Sequence, residues 1–208
     1  MLTLHAADAL LTGEGVVRRG RYAVLVSGGG IHALGPYEEL TAAHPGVRER
    51  YWPGLLAPGL WHTGAGALLE AAYHPDPREA DRLGTEPLTG PALAALELDA
   101  TGWGGSARRG TQRLLAQGVT TVSGPFHRPS VRTAVDRSGL RTRTAPPDAP
   151  PLLPAGQLVP GAPADFAVFD AAGSRGGPPA GPLGTDRLVR DHVCVATVLG
   201  GRLVHRRR

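Results

Sequence analysis

The chain has 208 residues, 41% hydrophobic and 19% charged, a globular balance that supports one sizeable core but not several. Its 30 glycines and 20 prolines are about double ordinary usage, which favours turns and short strands over long helices. The net charge is +4, and all 22 basic residues are arginine, so chemistry that needs a primary amine is excluded: a Schiff base, a P-loop lysine or a carbamylated-lysine metal bridge.

The single cysteine, Cys194, leaves no disulfide framework and no cysteine zinc cluster. No apolar run approaches the ~20 residues of a membrane span. Met1–His5 lacks the basic start and long apolar stretch of a signal peptide. A soluble, cytoplasmic protein with no membrane partner is expected. The basic end, Arg202 and Arg206–Arg208, carries no interleaved aromatics, so nucleic acid is a disfavoured partner.

In chain order, Leu2–Leu4 and Ala9–Leu11 read as short apolar segments. Tyr22–Val26 and Ile31–Pro36 read as a hairpin through the glycines after Ser27, with no strand–glycine–helix context for a phosphate loop. From Glu70 to Gly105 prolines break the pattern, leaving one helix-compatible stretch at Ala92–Leu98. Arg108–Gln117 predicts an amphipathic helix ended by Gly118, followed by a buried strand at Val119–Val122. Ser130–Ser138 predicts a second helix, closed by Gly139, so the middle follows βα grammar. Pro146–Pro154, with five prolines in nine residues, predicts a connector. Ala164–Asp170 alternates like a strand, a Gly/Pro loop covers 172–184, and Val193–Leu199 with Arg202–His205 predicts a closing hairpin.

Several of these segments resemble the amidohydrolase superfamily, most closely its imidazolonepropionase-like branch. Gly30–Gly35 is similar to the family's N-terminal turn and strand, and Leu56–Leu60 to its Pro-Gly entry into barrel strand one. Leu115–Val122 is similar to helix one leading into strand two, and Gly139–Arg141 to the start of strand three. Pro160–Asp170 and Val195–Val204 resemble the C-terminal strands. The resemblance implies an α/β chain in which residues 1–57 and 152–208 form a composite β-sandwich. Residues 58–151 would then form a truncated (β/α) barrel fragment of about three units, since a complete barrel needs ~250 residues.

The family's strand one ends Pro-Gly-x-x-Asp-x-His-x-His, and its two histidines hold the catalytic metal. Counted from Pro58-Gly59, His62 takes the Asp position, and Gly64 and Gly66 replace both histidines. The candidate catalytic residues are His62, at the end of strand one, and His127, after strand two. Trp61 and Arg128 are candidate substrate-binding residues, because barrel chemistry gathers at these strand ends. The bland reading is a polar gap-filler at His62 and a solvated loop at His127. A usable zinc site needs at least three ligands in a closed geometry; beside His62 the candidates are His74 and His127, with Asp76 or Glu70, but no His-x-His or His-x3-His spacing joins them. No resident metal or other cofactor is therefore expected. Trp103 is either a tryptophan tucked on the core or an anchor for a partner.

Two functions follow. One is an amidohydrolase-like binding or assembly module without metal chemistry, acting as a homodimer or with a partner enzyme that covers its unpaired strand edges. The other is a hydrolase acting on a C–N bond of a small cyclic molecule through a rebuilt site at His62 and His127.

Overall fold

The computed structural model describes residues 2–170 and 183–207. In chain order the elements are β1 (Leu2–Leu11), β2 (Val17–Ser27), β3 (Gly30–Pro36), α1 (Tyr37–Ala43), β4 (Arg48–Pro58), β5 (Leu60–His62) and α2 (Ala65–Glu70). A 3-10 turn (Pro77–Glu79) precedes α3 (Ala80–Leu83), α4 (Gly90–Ala94), α5 (Ala100–Ala116), β6 (Val119–Ser123), α6 (Pro129–Ser138) and β7 (Arg141–Arg143). The chain closes with β8 (Leu152–Pro154), β9 (Phe166–Phe169), α7 (Thr185–Asp191), β10 (Cys194–Leu199) and β11 (Arg202–Arg206). This mixed α/β fold has a seven-stranded sheet, β11-β10-β9-β4-β1-β2-β3, and a four-stranded sheet, β7-β6-β5-β8. Among the described residues no helix is long and apolar enough to cross a membrane. The Gly/Pro loop predicted at 172–184 lies, up to residue 182, outside the described residues.

The chain divides into two compact units: residues 1–61, 116–120 and 152–208, and residues 62–115 with 121–151. In the first unit, both chain ends enter the seven-stranded sheet. β1 pairs antiparallel with β2 and parallel with β4, and β9 pairs antiparallel with β4 and β10. The sheet curls until its hairpin tips meet: Ala164 N–H donates to Gly29 O (2.8 Å) and Gly201 N–H to Ala164 O (3.0 Å). A Cβ on Gly201 would stand 2.3 Å from Gly28 O, so the close approach requires glycine there.

Val24, Val26, Ile31, Leu56, Phe166, Val168 and Val198 fill the concave face of that sheet. Leu4, Ala6, Ala23 and Leu25 fill the opposite face, where Tyr37 and Leu40 of α1 pack on them. Burial on both faces explains why Ala23–Val26 and Leu55–Ala57 read as continuous apolar runs rather than alternating ones.

β1 is one strand, not two segments. A bulge between Ala7 and Ala9 carries Asp8, whose carboxylate accepts from Gly54 N–H (2.9 Å) and from the Tyr51 hydroxyl. That bulge hid the continuity of β1 in the sequence. Pro53 likewise disguised β4, because proline argues against a long strand. The last three residues of the proline-rich connector form β8.

In the second unit the predicted helix at Arg108 begins eight residues earlier, at Ala100. The Asp99 side chain accepts from Gly102 N–H at 2.7 Å, an N-cap that offsets the poor helix propensity of three early glycines. Small residues then let α5 lie close to its neighbours: a Cβ on Gly110 would stand 2.6 Å from Leu69 and 2.7 Å from His74 Nε2. β6 and β7 run parallel, with Thr121 opposite Arg141 and Ser123 opposite Arg143, and α6 is the crossover between them. Gly139 ends α6 in the left-handed region (φ +79°), as its place in the sequence requires.

Candidate functional site

β5 ends at His62, and the chain turns there at once. Thr63 is tied to the proline connector, its N–H donating to Pro151 O (3.0 Å) and its hydroxyl to Pro150 O (2.8 Å). Gly64 is the N-cap of α2 at φ −90°, ψ 20°, and Gly66 lies inside that helix. His62 is half-buried, and its Nδ1 is sealed from solvent with no hydrogen-bond partner. Burial lowers its pKa, which favours the neutral imidazole at pH 7. Trp61, also half-buried, falls in the first compact unit.

His127 and Arg128 share the loop between β6 and α6, and both are exposed. Arg128 makes two specific contacts. Its backbone N–H donates to Glu70 Oε1 at 2.6 Å, and its guanidinium stacks 3.9 Å above the Trp103 ring. The stack commits the guanidinium face to Trp103, which sits on α5 and is only 8% exposed. Trp103 is thus a core tryptophan of a helix, not a loop residue. Among the described residues no hydrogen bond or ion pair joins His62 to His127.

Sequence reasoning singled out His74 and Asp76 but missed the polar cluster they form with Ser106 and Arg109. His74 is 4% exposed; its Nε2 donates to Leu68 O (2.9 Å) and its backbone N–H to Ser106 Oγ (2.9 Å). Arg109 Nε donates to His74 O (2.7 Å), and its Nη1 reaches Asp76 Oδ2 at 3.4 Å. These contacts pin the irregular chain around residues 72–79 to α5. The proline run at 75 and 77 masked them, although Asp76-Pro-Arg-Glu79 reads as a capping box, which it forms.

The metal implied by the family resemblance does not fit these residues. Glycine offers no donor at 64 or 66, and the backbone differs too. Alternate residues share a side only on extended chain, whereas here one is a helix cap and the other lies in the helix. Among the described residues no three His, Cys, Asp or Glu side chains converge as a metal-binding group. Cys194 is buried, and desolvation pushes its thiol up to about 11, so it stays protonated at neutral pH. The first unit also holds a cleft of about 490 Å³ lined by Leu10, Glu14, Arg18, Tyr22, Leu34 and Leu158 among others, a size suited to a small molecule.

No curated protein matches this chain. Among solved structures, it is similar to E. coli guanine deaminase (18% identity, 71% of this chain and 38% of that one, TM-score 0.48). It is also similar to A. niger ochratoxinase (16%, 69% and 30%, TM-score 0.46) and to an adenosine deaminase from Xanthomonas campestris with bound zinc (17%, 67% and 32%, TM-score 0.45). The chain therefore spans about a third of the length of those structures. Residues 23–46, from β2 through β3 and α1 to the turn before β4, match the model of the imidazolonepropionase-like composite domain of bacteria. That match covers 24 of the 208 residues and likens this segment, β2 to the turn before β4, to an imidazolonepropionase-like composite domain.

Proposed function

We propose that this chain is an amidohydrolase-like protein without the superfamily's metal-dependent hydrolase chemistry, and that it acts as a binding or assembly module. Residues 1–57 and 152–208 would be the composite sandwich, and residues 58–151 a truncated barrel fragment. The observation that carries the reading is the end of β5, where Gly64 and Gly66 stand at the two metal-ligand positions on a helix cap and a helix. A small cyclic molecule would find room in the cleft beside Tyr22 and Leu34. A second copy or a partner enzyme would cover the edges of the short strands β7 and β8, and a homodimer is the economical solution. A reducing, cytoplasmic setting suits the lone buried thiol.

The test is zinc content and oligomeric state of untagged protein purified without chelator. Wild type and His62→Ala should hold the same amount of zinc, and light scattering should report a dimer. Stoichiometric zinc that disappears in His62→Ala would remove the proposal. A strict monomer at micromolar concentration would remove the dimer.

The alternative, hydrolysis of a C–N bond in a small cyclic substrate, has one observation behind it: the neutral imidazole of half-buried His62 at the end of β5, a protonation state suited to a general base. It predicts turnover of cyclic amides that His62→Ala and His127→Ala each abolish.

A further inference from the structure

We infer that His32 and His44 form a two-imidazole site for a borderline divalent transition ion such as zinc, nickel or copper(II), with water in the remaining positions. It is independent of the function proposed above. Strand register supplies the first support. Leu25 pairs with Ala33 and Val26 with Ile31, so His32 is the extra residue of a β-bulge in β3. A bulge re-aims a side chain that regular alternation would direct elsewhere, and His32 is exposed.

The second support is where that ring sits. The His32 and His44 imidazoles are 5.9 Å apart, centroid to centroid, with planes at 75°. His44 is held in place as the residue that ends α1: its N–H donates to Leu40 O (3.1 Å), and its carbonyl accepts from Val47 N–H (3.3 Å). Leu40 and Val47 pack against the apolar face beneath α1, as does Ala33, the neighbour of His32. Both imidazoles therefore project from backbone anchored in a core.

The spacing suits one shared ion. An imidazole nitrogen stands ~2.1 Å from zinc, which puts two rings of a tetrahedral site roughly 5 Å apart at their centroids. The observed 5.9 Å lies within about 1 Å of that spacing. Imidazole is a ligand that zinc, nickel and copper share, whereas magnesium and calcium prefer oxygen. Arg48 lines the same surface recess as His44 and opposes a cation, but it is exposed, so solvent and salt weaken that opposition. With two protein ligands, the bound ion stays exchangeable and open to a further donor.

Calorimetric titration of untagged protein with zinc chloride near neutral pH tests the site. Wild type should bind one ion per chain. His32→Gln and His44→Gln should each weaken binding about tenfold or more, since a lost ligand costs at least as much as a lost outer-shell partner. His205→Gln should leave binding unchanged. In the wild type, substoichiometric copper(II) should broaden the imidazole proton resonances of His32 and His44 before those of other histidines, a readout that needs no variant. Absent binding, binding indifferent to both substitutions, or broadening that starts at other histidines would each overturn the site.

Discussion

The two compact units differ in how their buried polar groups are arranged. The first is an apolar construction: two sheet faces are filled, and its most buried histidine, His5, has its Nδ1 satisfied by the Trp52 Nε1–H (3.2 Å) and its ring set edge-on to Phe166. The second adds polar ties to a buried apolar set of its own that includes Leu69, Trp103, Leu114, Val131 and Val135. Ser106, Arg109 and Asp76 hold the chain around His74, and Glu70 with Trp103 holds Arg128. Among the described residues the buried polar atoms without a partner are His62 Nδ1 and His74 Nδ1 in the second unit, against Thr120 Oγ1 in the first.

The largest expected effect is at the apolar core. Phe166 is fully buried, so Phe166→Ala should cost about 3–5 kcal/mol, the usual range for a large aromatic removed from a packed interior. Chemical denaturation followed by far-ultraviolet circular dichroism would measure it. A loss below about 1 kcal/mol would break the contrast, because it would mean that this face repacks as readily as a loop.

The second effect is pH dependence. Burial first, then the positive charges of Arg50 and Arg48, lower His5 from 6.5 to about 4. The folded state therefore binds fewer protons than the unfolded chain. The contribution of neutral His5 is complete above pH 6.5, falls as pH drops from 6.5 towards 4, and is gone below that. Over this window it amounts to about 3 kcal/mol. His5→Gln keeps an acceptor for the Trp52 N–H and has no proton to take up, so its stability curve should be flatter than wild type by that amount. Equal slopes for the two proteins would show that His5 is solvated in solution. His74 is shifted in the same direction, mainly by burial, so the second unit also weakens on acidification.

Much of the first unit was legible in sequence because its signals are local. The glycines after Ser27, the alternation at Ala164–Asp170 and the Gly200-Gly201 turn each announce a strand end through backbone conformation alone. β1 and β4 were less legible because what organises them is tertiary: Asp8 in a bulge answers Tyr51 and Gly54, more than 40 residues away in sequence. In the second unit α5 was half visible. The strong formers at Arg108–Ala116 stood out, while Ala100–Ala107 depended on one capping carboxylate, Asp99. Of the candidate site, the positions of His62 and His127 after strands were readable from the strand pattern. The Arg128–Trp103 stack was not, since it joins residues 25 apart that only α5 and the β6–α6 loop bring together.

The smallest expected effect sharpens the comparison most. If the metal chemistry is missing only because two side chains were lost, Gly64→His with Gly66→His should recover zinc binding. A Cβ at Gly66 meets open space and one at Gly64 makes ordinary contact with the His62 ring, so the double variant should fold. Backbone argues that it will not gain zinc. In a strand, residues i and i+2 project to the same side; in a helix they diverge by about 200°. Here position 64 caps α2 and position 66 lies in its first turn. The zinc affinity of the double variant should match that of wild type, measured in a His32→Gln background so that the β3 histidine does not contribute. Tight new binding would mean that the end of β5 re-extends when ligands are supplied, and that the helix there is a consequence of the glycines rather than a fixed part of the fold.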